Sequence, residues 1–365
     1  MIYVFVTYNF SLNFDSPESW FKRTEAYVGV LHSLTKQNTV INIKQINYEG
    51  DCVHKGIQYR FVNFGEKETR FPKRLNQYVK DQHPDVVFVQ GLHVPLQIIQ
   101  LRRVLGKKVK IIVQNHAEQP LTGLKKYLQR MADRRVDAYL FASQAMGMDW
   151  IKKGNLADPA KIHEVMEVSS IFEPIDRSIA LEKTGAEGHP IFLWVGRLND
   201  NKDPVNVIKT FLKFTAAKPG ARLYMIYHTD ELLAQVQVLL DTAENKDAVI
   251  LVGKVSHDEL LYWYNSADIV LSGSYYEGSG TAVCEAMSCG CMPIVTDIFS
   301  FRMITDNGRC GLLYQPGDEE GLLTALLQTR QMDVKEKQAA SLEYFRSNLS
   351  FEAIAGKVQD VMASL

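Results

Sequence analysis

Two carboxylates with seven residues between them, Glu277 and Glu285, enclose a run of small residues in the stretch Tyr276 to Gly290, Y-E-G-S-G-T-A-V-C-E-A-M-S-C-G. The apolar run Asp268 to Ser272 reads as a strand, and Thr281 to Ser288 as a helix. Gly278, Ser279 and Gly280 would let the backbone approach a ligand. The unpaired amides at the start of the helix would face an anion or a hydroxyl. Glu285 lies about one turn along that helix, roughly 6 Å down the axis at 1.5 Å per residue, and so reaches a different part of the same ligand. A carboxylate accepts two or more hydrogen bonds, which suits the vicinal hydroxyls of a hexose or a ribose. Taken alone, the same residues also fit a plain loop followed by a solvated helix.

A second cluster, Gly196-Arg197-Leu198-Asn199-Asp200-Asn201-Lys202, follows the strand-like run Ile191 to Val195. Gly196 would permit a tight turn, and Arg197 and Lys202 would emerge over the carboxyl end of the strand. Arginine presents a fork to two phosphate oxygens and lysine a movable point charge, so the pair suits a diphosphate. Solvated cations on a surface loop are the plain alternative. The buried strand before them and the two glutamates favour phosphate, because phosphate sites recur at such strand ends.

The elements that must position these groups form two alternating series. In the first half, strands are predicted at Ile2 to Thr7, Val40 to Ile46, Asp85 to Gln90, Lys110 to Gln114 and Ala138 to Ala142, and helices at Trp20 to Thr35, Arg74 to Asp81, Leu96 to Leu105 and Gly123 to Arg134. In the second half, strands at Ile191 to Val195, Arg222 to Tyr227, Val249 to Val252, Ile269 to Leu271 and Met292 to Val295 alternate with helices near Pro204 to Lys218, Glu231 to Leu240, Asp258 to Asn265 and Thr281 to Ser288. That order predicts an α/β fold of two doubly wound, Rossmann-like domains with parallel sheets. The polar stretch Glu173 to Pro190 has the composition of a linker. Ligands of open α/β sheets sit outside the carboxyl ends of the strands, so the expected active site is a cleft between the domains.

The stretch from Ile191 to Asp318 closely resembles the donor-binding half of retaining glycosyltransferases of family 4, which have the GT-B fold. The likeness is carried by the strand Val249 to Val252, D-E-L-L-Y-W-Y-N-S-A-D at 258–268, the E-x7-E segment, and N-G-R-C-G-L-L-Y-Q-P-G-D at 307–318. The first half resembles the family more weakly. The resemblance implies transfer of a sugar from a nucleotide-diphosphate sugar with retention of anomeric configuration, the departing diphosphate helping to deprotonate the acceptor. It further implies that Arg197 and Lys202 bind phosphate, Glu277 the donor sugar and Glu285 the ribose hydroxyls. Gly196 leads into the phosphate loop, and the amides of Ser279, Gly280, Thr281 and Ala282 would hold sugar and diphosphate. Gly253 and Lys254 stand where the family's nucleobase contacts begin. In the first half, His116 aligns with a histidine near donor sugar and acceptor, although a histidine hydrogen-bonded at a strand end fits as well. His93 is a weaker acceptor-side candidate, and Ser143 resembles a common family serine without assigned chemistry. The donor is a substrate, so no cofactor is expected. No metal is expected either, since no D-x-D stands at a suitable strand end and the two cations supply the charge.

Three departures from the family pattern bear on specificity. Tyr8 to Phe14 stands where a Gly-Gly loop usually follows the first strand, which makes close backbone approach harder there. Tyr227-His228-Thr229 replaces a Gly-x-Gly, and Glu167-Val168 replaces an Asn-Gly. By resemblance the segment from residue 346 onward is a terminal helix that returns to the first domain. The expected organisation is 1–172 as the acceptor-binding domain, 173–345 as the nucleotide-sugar domain, and 346–365 as that helix.

Composition sets the remaining bounds. With 365 residues, 46% hydrophobic and 23% charged, the chain reads as an ordinary globular protein long enough for two domains. Residues 1–172 carry 24 Lys and Arg against 16 Asp and Glu, a balance of +8, and the totals of 41 and 42 leave −9 for the rest. The basic stretch Leu124 to Arg135 contributes much of this excess. It suits a solvated helix face best, since such charge faces are common, and contact with an anionic acceptor or a membrane surface is the second reading. No apolar run reaches the length of a membrane span, and Met1 to Thr7 reads as a buried strand without a basic leader, so a cytoplasmic protein is expected. Five cysteines, odd in number and without a C-x2-C pair, read as reduced thiols. The partners expected are a nucleotide-sugar donor and a glycan, lipid-linked or small-molecule acceptor, with no nucleic acid. A dinucleotide oxidoreductase would need G-x-G-x-x-G, and Val283 stands where the third glycine should be. A noncatalytic relative that only binds nucleotide or glycan is the remaining alternative.

Overall fold

The computed structural model describes residues 1–24 and 28–365. The chain divides into two compact units, 1–169 together with 351–365, and 170–350. The first unit holds an eight-stranded sheet in the order β3-β4-β2-β1-β5-β6-β7-β8. Its strands are β1 (Ile2–Ser11), β2 (Thr39–Ile46), β3 (Gly50–His54), β4 (Ile57–Val62), β5 (Val86–Gln90), β6 (Lys110–Gln114), β7 (Ala138–Phe141) and β8 (Ile162–Glu164). Every pairing is parallel except β3 with β4. Helices cover the sheet, so the central strands are apolar on successive residues rather than alternating. Val4, Val6, Val87, Val89, Ile111 and Val113 are all fully enclosed.

The second unit is a six-stranded, wholly parallel sheet in the order β11-β10-β9-β12-β13-β14. Here β9 is Ile191–Gly196, β10 Arg222–Tyr227, β11 Val249–Gly253, β12 Ile269–Ser272, β13 Met292–Thr296 and β14 Leu312–Tyr314. Phe192 of β9 meets Phe211 and Phe214 of the helix Pro204–Thr215 edge-on, with ring centroids 5.1 and 5.7 Å away. The strand order reverses between β9 and β12, and this is the position where doubly wound sheets bind their ligands. Both clusters singled out in the sequence leave from there, one after β9 and the other after β12.

Several elements differ from the sequence reading. The predicted linker 173–190 contains a helix, Arg177–Thr184, whose N-cap Asp176 accepts from the amide of Ser178 at 2.8 Å and which ends at left-handed Gly185. It packs on the helix His257–Ser266 and belongs to the second unit. Polar composition here marks the exposed face of a short helix, with Asp and Gly as its boundary signals. The helix predicted from Trp20 to Thr35 is two helices, Pro17–Thr24 and Gly29–Thr35, and its middle, 25–27, lies outside the described residues. The β3–β4 hairpin, β8 and β14 were not foreseen. Strands of three residues such as β8 and β14 are too short for periodicity to separate from loop.

The final helix, Phe351–Ser364, packs against Gly29–Thr35. Glu352 accepts from Ser33 Oγ at 3.4 Å and lies 3.5 Å from Lys36 Nζ. That ion pair is exposed and adds little, so the apolar face of the helix, Ile354, Ala355 and Val358, holds it in place. No helix of the described residues is long and apolar enough to cross a membrane.

Candidate functional site

In the second unit the loops after β9 and β12 are sewn together. Gly196 is not among the positive-φ residues, so its use is not the turn expected of it. A Cβ there would lie 3.1 Å from the Trp194 ring, closer than ordinary contact, and 3.6 Å from Lys202 Cδ, an ordinary one, so the glycine makes room for the indole. Asn199 caps the short turn Asp200–Lys202 by accepting from the Lys202 amide at 3.2 Å. Asn201 then reaches across to the other loop. Its side chain donates to the Tyr276 carbonyl at 3.0 Å and accepts from the Tyr276 amide at 3.1 Å, while its carbonyl accepts from the Tyr275 amide at 2.8 Å.

Against this backbone frame Lys202 Nζ donates to Glu277 Oε1. Ser274 Oγ donates to the same oxygen at 2.7 Å. Ser274 is in turn fixed through its carbonyl, which accepts from Thr296 Oγ1 at 2.5 Å. Glu277 and Lys202 are each about one-sixth exposed, 16% and 18%, so their attraction is less screened than that of a surface pair. Glu277 Oε2 takes no hydrogen bond among the described residues, which leaves one lone-pair face for a ligand hydroxyl. Arg197 is exposed, and its guanidinium makes no hydrogen bond or ion pair among the described residues. The two cations predicted to act together are thus differently held: Lys202 is paired with Glu277, and Arg197 is exposed without a partner among the described residues.

Glu277 lies five residues beyond the end of β12, in a loop rather than at the strand end, and Gly280 turns that loop into the helix Thr281–Ser288. Gly280 has φ +61°, and a Cβ would stand 2.8 Å from Phe301, so both conformation and space demand glycine. The first-turn amides of Thr281 and Ala282 have no intrahelical carbonyl to meet, since Val283 and Cys284 take the Gly280 carbonyl at 2.9 and 3.1 Å. Ser279 is buried beside them. Gly253 closes β11 at φ +83°, and Lys254 follows it, exposed.

Glu285 is buried, 7% exposed, with both carboxylate oxygens engaged. Tyr264 donates to Oε2 at 2.9 Å, and His257 Nε2 lies 3.3 Å from Oε1. Burial keeps the Tyr264 phenol protonated far above the normal range, so it is a fixed donor. His257 was not foreseen as a site residue. It occupies the first turn of His257–Ser266, held there by a capping box between Ser256 and Glu259. Its ring lies 4.8 Å from the ring of Phe172. The hydrogen bond to Glu285 raises its pKa above the ordinary histidine value, against the opposing effect of burial. The E-x7-E spacing carries no sign of a histidine 28 residues upstream, and only the packing of two helices supplies it.

The departure at Tyr227-His228-Thr229 has a structural use: Thr229 Oγ1 accepts from the Leu198 amide at 3.0 Å, bracing the loop that carries Arg197. A separate cavity of about 540 Å³ opens beside Asn201, Asp203, Leu232 and Tyr275, and neither glutamate lines it.

In the first unit, His116 follows β6. Its Nδ1 bonds Glu167, and its Nε2 lies 2.8 Å from Gln90 Oε1 at the end of β5. The neighbouring Glu118 gathers four donors: the amides of Leu92 (3.1 Å) and His116 (2.6 Å), His93 Nδ1 (3.0 Å) and Asn115 Nδ2 (2.9 Å). Burial works against its charge, but these bonds prevail and its pKa is lowered. His93 also meets Asn9 at 3.3 Å, where β1 runs on to Ser11, into the first half of the Tyr8–Phe14 stretch. Ser143 is a helix cap, its Oγ accepting from the Met146 amide at 3.3 Å.

All five cysteines are free thiols. Burial pushes Cys289 and Cys310 up to about 12. Among the described residues no group of three or more His, Cys, Asp and Glu side chains is placed to hold a metal ion.

Residues 176–342 match the family model "Glycosyl transferases group 1". The chain is 26% identical to a D-inositol 3-phosphate glycosyltransferase from Nocardioides sp. over 56% of its own length and 49% of the relative's. It is 28% identical to the O-antigen chain mannosyltransferase RfbU of Salmonella typhimurium, over 57% and 55%. The chain thus spans about half the length of the curated relatives it matches. Among solved structures, Anabaena Alr3699/HepE in complex with UDP superposes with a TM-score of 0.75 at 13% identity, covering 100% of both chains.

His257 generates a pH-dependent prediction. Its pKa is raised in the folded state, so its contribution to stability is complete below the unfolded value and is lost as pH rises through the folded one. His257→Ala should therefore lower Tm more near pH 6, about half a unit below the ordinary histidine value, than in mildly alkaline buffer. Thermal unfolding at both pH values checks this, and an equal Tm loss at the two would mean that the His257–Glu285 contact carries no charge.

Proposed function

The fold is GT-B, two Rossmann-like α/β units with parallel sheets apart from the β3–β4 hairpin, and from that premise we propose that the protein is a retaining glycosyltransferase that uses a nucleotide-diphosphate sugar. The observation that carries this reading is the joint between Lys202 and Glu277 at the switch point of the second sheet. It places a cation, a half-free carboxylate and a helix N-terminus within two connected loops. In this reading Glu277 Oε2 accepts from hydroxyls of the donor sugar. Arg197, Lys202 and the amides of Ser279 to Ala282 take the diphosphate, whose charge grows as the glycosidic bond breaks. Glu285 takes the ribose hydroxyls, and Gly253 and Lys254 border the base.

His116 serves the sugar end from the first unit, which binds the acceptor. The departing diphosphate receives the acceptor's proton, so the reaction needs neither a metal ion nor a separate protein base. The acceptor is a glycan, a lipid-linked molecule or a small metabolite. The helix Gly123–Asp133 offers it an anion-seeking surface, with Leu124 and Tyr127 standing 82% and 68% exposed among Lys125, Lys126 and Arg130.

The decisive experiment incubates the protein with UDP-, GDP- and ADP-sugars and a mixed acceptor pool, and measures nucleotide release and anomeric configuration of the product. Release with a retained anomer is expected. Tight nucleotide binding by calorimetry with no turnover on any donor would instead favour a noncatalytic binding module.

Three further outcomes follow from the assigned roles. Glu285→Ala should weaken free-nucleotide binding by roughly tenfold or more, the loss expected when a charged hydrogen-bond partner of a ligand is removed. Glu285→Gln, which still accepts from Tyr264, separates that loss from misfolding, and an unchanged Kd in both variants would refute the ribose role. Glu277→Ala should cut sugar-nucleotide turnover by about 10²–10³. The same variant should leave free-nucleotide Kd unchanged or tighter, because Lys202 is released toward phosphate; equal losses in both would reject a sugar contact. Turnover should persist in excess EDTA, and loss that Mg²⁺ or Mn²⁺ restores would reject the metal-free mechanism.

A further inference from the structure

Glu167 stands at a position where the sequence departs from the family pattern, and it is the residue that meets His116. The geometry is specific. His116 presents Nδ1 to the Glu167 carboxylate and Nε2 to Gln90 Oε1 at 2.8 Å, so both ring nitrogens face acceptors. A neutral imidazole protonated at Nδ1 meets Glu167, and it satisfies Gln90 only if that amide turns its NH2 group toward Nε2. An imidazolium fills both. Glu167 is only 10% exposed, so its charge acts through little water.

We propose that Glu167 is a positioning residue that holds His116 as an imidazolium of fixed orientation, rather than as a neutral base, at the carboxyl ends of β5 and β6. This rests on the reading of His116 as a group serving the donor sugar. Glu167 fixes the ring through Nδ1, and the Nε2–H faces the Gln90 amide, an exchangeable partner that a substrate oxygen can replace. No proton leaves His116 during the reaction. The ring is a charged donor to an oxygen that gains electron density, in keeping with proton transfer from acceptor to diphosphate.

The groups around the ring pull in both directions, and the carboxylates prevail. Burial disfavours the cation, and Lys44 from β2 opposes it as well. The hydrogen bond to Glu167, the charge of Glu167 and the charge of Glu118 outweigh both, and the pKa of His116 is raised. Lys44 opposes it less than a full cation would in alkaline solution, because burial lowers its own pKa to about 8. His93, the remaining titratable group of the cluster, faces Glu118 rather than His116.

Two measurements on the full chain test the assignment. Histidine ring NMR, with the His116 signal identified by its loss in His116→Gln, should give a midpoint above the ordinary histidine value in the wild type and a lower one in Glu167→Gln. Because a tenfold change in the charged fraction accompanies each pH unit, kcat should fall as pH rises through that midpoint. In Glu167→Gln the fall should begin at lower pH, leaving kcat below wild type on the alkaline side by about tenfold for each pH unit that the NMR midpoint moves. In acid, where the ring is charged regardless, kcat and donor KM should stay within about threefold of wild type. Glu167→Asp, which keeps the charge, should restore part of the alkaline activity. An unchanged His116 midpoint in Glu167→Gln would overturn the proposal, as would a shifted midpoint with an unmoved rate profile. If the wild type turns over no sugar nucleotide, the glycosyltransferase reading fails, while the NMR midpoints still decide whether Glu167 holds the ring charged.

Discussion

A carboxylate and an ammonium withdrawn from water together repay their desolvation only if further hydrogen bonds hold the geometry, and the pair Lys202–Glu277 has that support. Ser274 shares the carboxylate oxygen with Lys202, Asn201 ties the two backbones on either side, and Asn199 caps the turn that presents the lysine. Remove the backbone links and the two long side chains would be separate surface charges worth little. With them, two loops from neighbouring strands act as one wall. The rest of the second unit can be seen as what that wall requires: β9 and β12 side by side at the reversal of strand order, with Phe211 and Phe214 packed beneath.

Glu285 illustrates a different solution to the same problem. A buried carboxylate is costly unless its lone pairs are filled. Tyr264 fills one oxygen from a fully buried position, and His257 approaches the other from a partly exposed helix terminus. The tyrosine is permanent because burial forbids its ionisation, whereas the histidine is accessible and titratable. A ligand hydroxyl that competes for Glu285 therefore meets one fixed partner and one exchangeable partner. His116 in the first unit repeats this pattern, with Glu167 within bonding distance and well buried, and the Gln90 amide opposite.

Much of the second sheet was legible because parallel strands buried on both faces leave continuous apolar runs, and those runs had clean ends. Arg222 to Tyr227 and the helix Thr281 to Ser288 coincide with the predicted boundaries. The helix inside 173–190 was obscured by its polar exposed face, although Asp176 and Gly185 marked its ends. Short edge strands left no comparable trace. Thr229 and Glu167 looked like losses against the family pattern, because a pattern records which residue is missing and not what its replacement touches.

Residue types alone determined the chemistry on offer: two carboxylates with seven residues between them, a guanidinium and an ammonium after one strand, and a glycine turn leading into a helix. Local rules of periodicity, capping and turn formation operate over a few residues, and these features lie within that range. Which group answers which was decided by the tertiary structure. Lys202 meets Glu277 across 75 residues, His116 meets Glu167 across 51, and Glu285 meets Tyr264 and His257 across 21 and 28. Such pairings follow from strand order and helix packing, which bring side chains together only when the whole sheet is assembled, and no spacing along the chain encodes them.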